Sequence, residues 1–132
     1  MTIEGPVGIT QYIEKHILSI ANNDTRVASK AARVIIAANG KPVFDYGGRR
    51  AHDAISIETA RACYLAGFAG TSNVEAAQKL GIPCSGTMGH VWILQHSTKG
   101  VSNKQSEFNA FYNWAKIFPK GSTYLIDTYN TL

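Results

Sequence analysis

Helix-like segments alternate with short apolar runs along the whole chain, and this alternation restricts the fold more than any other feature. Four runs have strand character, at residues 43–46, 67–70, 82–87 and 124–127, and glycine or polar residues follow them. The intervals hold apolar residues at spacings of three and four, which is the spacing of amphipathic helices. Strands that alternate with helices predict an α/β fold with about four parallel strands.

Five helices are predicted between these strands from apolar spacing and capping residues. They cover residues 8–22, 24–38, 54–66, 73–80 and 103–118. Asn22 and Asn23 separate the first two helices, and Asn39 with Gly40 supplies a left-handed stop for the second. His16 lies on the apolar stripe of the first helix, which we expect to be buried in the core.

Composition indicates one globular segment. The 132 residues are 45% hydrophobic and 17% charged, and no linker rich in Pro, Ser or Gly divides residues 1–132. No apolar run approaches the roughly 18 to 20 residues that span a bilayer, and the first residues lack the features of a secretory signal. We therefore expect a cytoplasmic protein without membrane contact, in which Cys63 and Cys84 are free thiols.

The charge distribution argues against a nucleic-acid partner. Thirteen Lys and Arg against nine Asp and Glu give a formal net charge of +4. A nucleic-acid interface needs basic residues clustered with aromatic ones, whereas here they are scattered and Arg49–Arg50 is the only adjacent pair. The charge instead indicates a local anion site near Arg49.

In parallel sheets, ligand-binding residues lie at the carboxyl ends of the strands. Four residues able to carry chemistry lie at or just after the ends of the predicted strands: Arg49, Ser72, His90 and Asp127. Arg49 can hold a carboxylate or phosphate through its two-pronged guanidinium, or it can pair with Asp45 or Asp53 at the surface. His90 can act as base, nucleophile or hydrogen-bond donor, or it can be a core histidine bonded to a carbonyl. Asp127 can orient a histidine, bind a hydroxyl or lie near a metal, or it can cap a helix or form a turn. No cysteine pairs with zinc-ligand spacing are present.

Five stretches of the chain carry motifs in a fixed order. They are EGP at 4–6 with TRVASKAAR at 25–33, DYGGRRAH at 45–52, GFAGTSNV at 67–74, GIPCSGTMGH at 81–90 and LIDTYNTL at 125–132. These motifs are spread over nearly the whole chain, and they resemble those of the nicotinate phosphoribosyltransferase family. The family's patterns at the last four places are D/E-F/Y-G-x-R-R-A, GGFDGTSNV, GIPVSGTMAH and LVDTYDTL.

The resemblance implies a type II phosphoribosyltransferase, whose fold is a β/α barrel. This chain would form a central half of the barrel, with about four parallel strands and intervening helices. The implied reaction joins nicotinate to phosphoribosyl pyrophosphate, giving nicotinate mononucleotide and pyrophosphate in NAD salvage. ATP hydrolysis would be coupled through a phosphorylated histidine, and Mg²⁺ would bind with the pyrophosphate. By position His90 is that histidine, and Asp127 orients it or contacts ribose and magnesium.

The resemblance also implies substrate-binding residues. Arg49 and Thr87 match positions that hold the nicotinate carboxylate or ring, and Thr71 and Ser72 lie in the matching turn. Nicotinamide-using relatives carry aspartate where this chain has Ser72, and a carboxylate there suits an amide and repels a carboxylate ligand. Ser72 therefore favours nicotinate, although it can also serve as a helix cap. The chain departs from the family's motifs at Gly89, Val91 and Asn130.

A complete β/α barrel needs about 200 residues or more, and this chain has 132. The resemblance implies an N-terminal domain and later barrel strands that this chain lacks. We therefore expect exposed sheet edges and an exposed apolar face, covered by a second copy or a complementing chain, and no turnover by the isolated chain. The alternatives are a non-catalytic half-barrel that assembles with its complement, and a nicotinamide-using relative.

Overall fold

The computed structural model describes residues 2–130. These residues form an α/β structure with five α-helices and one two-stranded parallel sheet. They divide into two compact units, the first ending at Ser85 and the second beginning at Gly86. Thr131 and Leu132, which end the last motif, lie outside the described residues. Within the described range, no helix combines the length and the apolar character needed to cross a membrane.

The first unit packs three helices around two short strands. Its elements are α1 Val7–Ala38, β1 Phe44–Asp45, α2 Asp53–Leu65, β2 Gly70–Thr71 and α3 Val74–Leu80. A 3-10 turn, Gly48–Arg50, lies between β1 and α2. Small side chains from the three helices are buried in this unit: Ala31, Ala60, Ala62, Cys63 and Ala76. Because these side chains are short, the helix backbones approach the sheet and each other closely.

The two strands pair in parallel, with Phe44 opposite Gly70 and Asp45 opposite Thr71. Thr71 also forms a parallel bridge with Cys84, so a third predicted strand segment contributes one bridging residue. A Cβ atom at Gly70 would lie 2.3 Å from the carbonyl oxygen of Pro83. Glycine at this position therefore permits the close approach of the third segment.

Helix α1 continues through Asn22 and Asn23, where two separate helices were predicted. That prediction is wrong because asparagine costs a helix only about 0.7 kcal/mol, and no proline or glycine interrupts the segment. The Asn23 side chain also accepts a hydrogen bond from Arg26 at 3.5 Å. The predicted end of the helix is confirmed, since Asn39 adopts the left-handed conformation with φ 48°.

Most of the apolar stripe on the first half of α1 is exposed, contrary to prediction, although Ile13 and Ile17 are half-buried. Tyr12 is 77% exposed and Ile20 is 70% exposed, and His16 is exposed as well. The reason is that α2 packs farther along α1, where Asp24 forms an ion pair with Arg61. Within the first unit, no described helix covers Tyr12 or Ile20.

The second unit contains the two remaining helices, α4 His90–Leu94 and α5 Asn103–Ile117. The Ser102 hydroxyl caps α5 by accepting a hydrogen bond from the Gln105 amide, which agrees with the predicted start of this helix. Helix α4 was not predicted. The core is a cluster of three buried side chains with aromatic rings around it: Met88, Ile93 and Ala110, with Trp92, Phe111, Trp114 and Tyr129.

Residues 124–127 form no strand, so the fourth predicted strand is absent from the described part of the chain. The Leu125 amide donates to the Met88 sulfur at 3.3 Å, and the Tyr124 ring packs edge-on against Phe111 at 5.2 Å. These contacts attach the segment to the second unit through side chains. The prediction failed because an apolar run ending in aspartate reads as a strand whether or not a neighbouring strand exists to pair with it.

Candidate functional site

Two predicted site residues lie at the carboxyl edge of the sheet in the first unit. Arg49 is in the 3-10 turn after β1, and Ser72 directly follows β2. The two strand ends are neighbours, because the Ser72 amide donates to the Asp45 carbonyl oxygen at 2.8 Å. Parallel pairing of β1 and β2 therefore places the loops that carry Arg49 and Ser72 at one edge.

The Arg49 side chain is exposed, and within residues 2–130 it forms no ion pair. The alternative in which it pairs with Asp45 or Asp53 is therefore not what the structure shows. A guanidinium without a carboxylate partner presents paired N–H donors with the geometry of a carboxylate or phosphate. This end of the sheet thus has a cationic group available to an anionic ligand.

The Asp45 carboxylate is buried and hydrogen-bonded to two segments. Asp45 is 7% exposed, its Oδ1 accepts from the Gly47 amide at 2.9 Å, and its Oδ2 accepts from the Thr71 hydroxyl at 3.1 Å. The Thr71 oxygen in turn accepts from the Asn73 amide at 3.1 Å, and the Asn73 side chain donates to the Ser56 hydroxyl at 2.8 Å. We call Asp45, Thr71, Asn73 and Ser56 the Asp45 network.

Thr71 and Ser72 have different surroundings, although they are adjacent. Thr71 is fully buried, and both hydrogen-bonding functions of its hydroxyl are used inside the Asp45 network. Ser72 is half-buried, and its alternative role as helix cap belongs instead to Asn73, whose Oδ1 accepts from the Ala76 amide at 3.0 Å. The Ser72 side chain is thus not occupied by capping, whereas Thr71 shapes the edge from within.

The Cys63 thiol lies in the core of the first unit near this network. Its burial, together with the negative charge of Asp45, raises the pKa of Cys63 from 9.0 to about 11. Desolvation is the larger cause because an apolar environment disfavours the thiolate. Cys84, by contrast, is exposed. The two free thiols therefore differ in environment.

The raised pKa predicts a loss of stability at alkaline pH. The contribution is fully present below pH 9, where the thiol is protonated in both states, and is lost as the pH rises from 9 towards about 11. Across this range we expect the free energy of unfolding to fall by about 2 kcal/mol more in the unmodified chain than in Cys63→Ala. Urea unfolding at several pH values measures this difference, and Cys84→Ser is the matched control that should keep the full decrease. Equal pH dependence in the unmodified chain and Cys63→Ala would contradict the assignment.

The second unit brings His90 and Asp127 together. His90 is the first residue of α4, and its Nδ1 lies 3.1 Å from the Thr128 hydroxyl. Its Nε2 lies 3.8 Å from the Asp127 carboxylate, and the two side chains are 44% and 54% exposed. His90 is therefore neither a core residue nor bonded to a backbone carbonyl, as its alternative interpretation required. Thr128 is a partner that the sequence interpretation did not single out.

Thr87 precedes this histidine in the second unit and is half-buried. Its hydroxyl donates to the Met88 carbonyl oxygen at 2.9 Å, which leaves the lone pairs of the hydroxyl oxygen to accept another bond. The structure thus places Arg49, Thr71 and Ser72 in the first unit and Thr87, His90 and Asp127 in the second.

The described residues do not provide a protein-only metal site. No group of three or more His, Cys, Asp or Glu side chains with suitable spacing occurs within residues 2–130. Divalent magnesium in proteins is held by one or two carboxylates together with substrate phosphates. Asp127 is a single carboxylate, so it fits only a magnesium site that substrate phosphates complete.

Comparison with known proteins identifies relatives over the whole chain. A sequence model described as the nicotinate phosphoribosyltransferase (NAPRTase) family matches residues 42–130. A nicotinate phosphoribosyltransferase of Mycobacterium tuberculosis is 37% identical over 130 residues, which cover 98% of this chain and 29% of that protein. One from Bacillus subtilis is 35% identical over 133 residues, which cover all of this chain and 25% of that protein.

A solved structure agrees with these sequence relationships. The crystal structure of human nicotinic acid phosphoribosyltransferase matches with a TM-score of 0.69 and 26% identity, covering 96% of this chain and 33% of the human chain. The chain thus spans between a quarter and a third of the length of these relatives. Because the family match includes both strand ends and the histidine-bearing segment, the chain belongs to the nicotinate phosphoribosyltransferase family.

Proposed function

We propose that this chain carries the nicotinate-binding edge and the phosphoryl-accepting histidine of a nicotinate phosphoribosyltransferase. The reaction joins nicotinate and phosphoribosyl pyrophosphate to give nicotinate mononucleotide and pyrophosphate for NAD synthesis, and it is coupled to the hydrolysis of ATP to ADP and phosphate. The observation that carries the proposal is the family match over residues 42–130, a range that includes every candidate site residue. We also propose that the chain folds as part of a β/α barrel, and that the β1–β2 pair belongs to the sheet of that barrel.

Nicotinate recognition is assigned to the sheet edge of the first unit. The exposed Arg49 guanidinium offers two parallel N–H donors to the substrate carboxylate. Ser72 adds a neutral hydroxyl at the end of the neighbouring strand. A neutral group in this place accepts a carboxylate substrate without charge repulsion, which supports nicotinate over nicotinamide. Thr87 is proposed as a further contact to the substrate ring.

The phosphoryl-transfer step is assigned to His90. When Nδ1–H donates to the Thr128 oxygen, the Nε2 lone pair is free to attack the terminal phosphorus of ATP. An Nε2–P bond forms as the bond between this phosphorus and the bridging oxygen of ADP breaks. Water later takes the phosphoryl group and restores the imidazole. We assign Asp127, 3.8 Å from Nε2, to stabilising the positive charge that the ring carries while Nε2 is bonded to phosphorus.

Exposed apolar side chains suggest a further protein segment that would bury them. Large apolar side chains are exposed on α1 and α5, among them Ile9, Tyr12, Ile20 and Phe108. Clustered exposed apolar side chains on either helix mark an interaction face of that helix, and a second copy or a complementing chain is the proposed partner. We therefore expect the isolated chain to show no turnover. This exposed surface also favours the second candidate function, a non-catalytic assembly module.

A chimeric enzyme tests the proposed function. Residues 1–132 replace the aligned segment of the Bacillus subtilis relative, whose alignment of 133 positions nearly equals this chain in length. The chimera is expected to release pyrophosphate from phosphoribosyl pyrophosphate in a nicotinate-dependent manner, while the isolated chain releases none. A folded chimera without turnover would favour the assembly module, and turnover of nicotinamide at a comparable rate would identify a nicotinamide-using relative.

A further inference from the structure

The Asp45 network joins two loops through buried polar groups. One oxygen of the Asp45 carboxylate binds the Gly47 amide at the start of the turn that carries Arg49, and the other binds Thr71 at the end of β2. Ser72 follows Thr71 directly, and its own amide donates to the Asp45 carbonyl oxygen. A single residue therefore contacts the segments that carry both proposed nicotinate ligands.

We infer that Asp45 is a positioning residue for nicotinate, holding the Arg49 turn and the Ser72 strand end in one fixed relation through its two carboxylate oxygens. This inference rests on the proposed function, because it assigns Asp45 to the same site. Asp45 acts through other residues, since its carboxylate is buried and its oxygens are engaged by protein donors.

The chemistry of the carboxylate supports this role over a packing role. A buried carboxylate costs stability unless hydrogen bonds compensate it, and within residues 2–130 Asp45 forms no ion pair. An apolar side chain would avoid that cost. What the carboxylate provides is two acceptor oxygens on one side chain, each of which binds a different loop. An asparagine offers one acceptor oxygen and one donor NH₂, so when its oxygen accepts from the Gly47 amide, the Thr71 hydroxyl must turn its own proton away and accept a bond instead.

Two neighbouring glycines give a matched way to disturb this arrangement. A Cβ atom at Gly47 would lie 3.0 Å from the Asp45 Oδ1, which would force the carboxylate to shift. A Cβ atom at Gly48 would lie 3.4 Å from the Ser56 hydroxyl, an ordinary contact distance. Neither glycine has a positive φ, so alanine is compatible with both backbone conformations. Gly47→Ala is therefore expected to displace the Asp45 carboxylate. Gly48→Ala adds the same methyl group one residue later and is expected to leave the carboxylate in place.

The test is a titration of the chain with nicotinate, followed by NMR signals of the Arg49 side chain and the Ser72 amide. Asp45→Asn is expected to weaken nicotinate binding about tenfold, which corresponds to about 1.4 kcal/mol. Gly47→Ala is expected to weaken it in the same direction, and Gly48→Ala is expected to bind as the unmodified chain does. Thermal unfolding of each variant is recorded in parallel, because a purely structural role would lower the melting temperature and leave the affinity of the folded chain unchanged.

The outcomes distinguish failure of the positioning role of Asp45 from failure of the proposed nicotinate site. If the unmodified chain binds nicotinate and both Asp45→Asn and Gly47→Ala bind it equally well, the positioning role is wrong and the proposed function stands. If the unmodified chain gives no nicotinate-dependent shift at Arg49 or Ser72, the proposed nicotinate site is wrong, and the positioning role fails with it. If Asp45→Asn does not fold, the pair Gly47→Ala and Gly48→Ala decides, and equal affinities in that pair overturn the role.

Discussion

Replacement of His90 by alanine in the chimera is expected to abolish transfer of the terminal phosphoryl group of ATP to the protein. The physical reason is that the imidazole nitrogen is the only atom of this residue that can form a bond to phosphorus, and alanine offers none. We expect ATP-stimulated pyrophosphate release to fall by a factor on the order of 100 or more. Incorporation of radiolabelled phosphate from ATP, under conditions that preserve phosphohistidine, measures the first effect directly.

The matched control for this prediction is His16→Ala. His16 is an exposed residue of α1 whose ring lies 6.3 Å from that of Tyr12, and it takes no part in the proposed chemistry. This variant is expected to retain both labelling and turnover. Labelling of the His90→Ala chimera at the level of the unmodified chimera would show that another residue accepts the phosphoryl group.

Replacement of Thr71 by valine is expected to lower the free energy of unfolding of the chain by about 2–4 kcal/mol. Valine keeps the shape of threonine and removes only the hydroxyl, which is fully buried. The Asp45 carboxylate then loses one of its two donors, and the Asn73 amide loses its acceptor. Urea unfolding followed by circular dichroism measures the change.

Thr71→Ser is the control, because serine keeps the hydroxyl and removes one methyl group. It is expected to cost about 1 kcal/mol, the transfer free energy of that methyl group. If valine is tolerated as well as serine, the buried hydroxyl does not stabilise the Asp45 carboxylate, and the Asp45 network is not the element that holds this edge of the sheet.

Most helices of the fold could be predicted from the sequence because their ends carry local signals. Helix α3 was predicted at 73–80 and occurs at Val74–Leu80, with Asn73 as cap and the left-handed Gly81 as stop. Helix α5 was predicted at 103–118 and occurs at Asn103–Ile117. Each of these capping signals acts within a few residues, so the helix end forms without a contact to a distant part of the chain.

The errors arose where distant contacts decide the structure. The segment 124–127 has the composition of a strand, but strand formation requires a neighbouring backbone, and Leu125 instead bonds to Met88, 37 residues away. The exposed first half of α1 carries the apolar pattern of a buried helix without a described partner to cover it. Periodicity reports which face is apolar and does not report what covers that face.

In the candidate site, too, some features follow from local sequence and others depend on distant contacts. The positions of Arg49 and Ser72 after successive strands follow from the alternation of elements, whereas the Asp45 network joins residues 26 positions apart, Asp45 and Thr71, through hydrogen bonds. No pattern in the local sequence predicts that contact. The same holds for Thr128, which is 38 positions from His90 and meets it only in the folded chain.

The central claim is that the sheet edge of the first unit recognises the carboxylate of nicotinate. The most direct measurement compares nicotinate with nicotinamide in NMR titrations of the unmodified chain and of Arg49→Gln. We expect that nicotinate shifts the signals of Arg49 and Ser72, that nicotinamide binds more weakly, and that Arg49→Gln removes the preference. Equal binding of the two compounds, or a preference for nicotinate that survives in Arg49→Gln, would contradict the central claim.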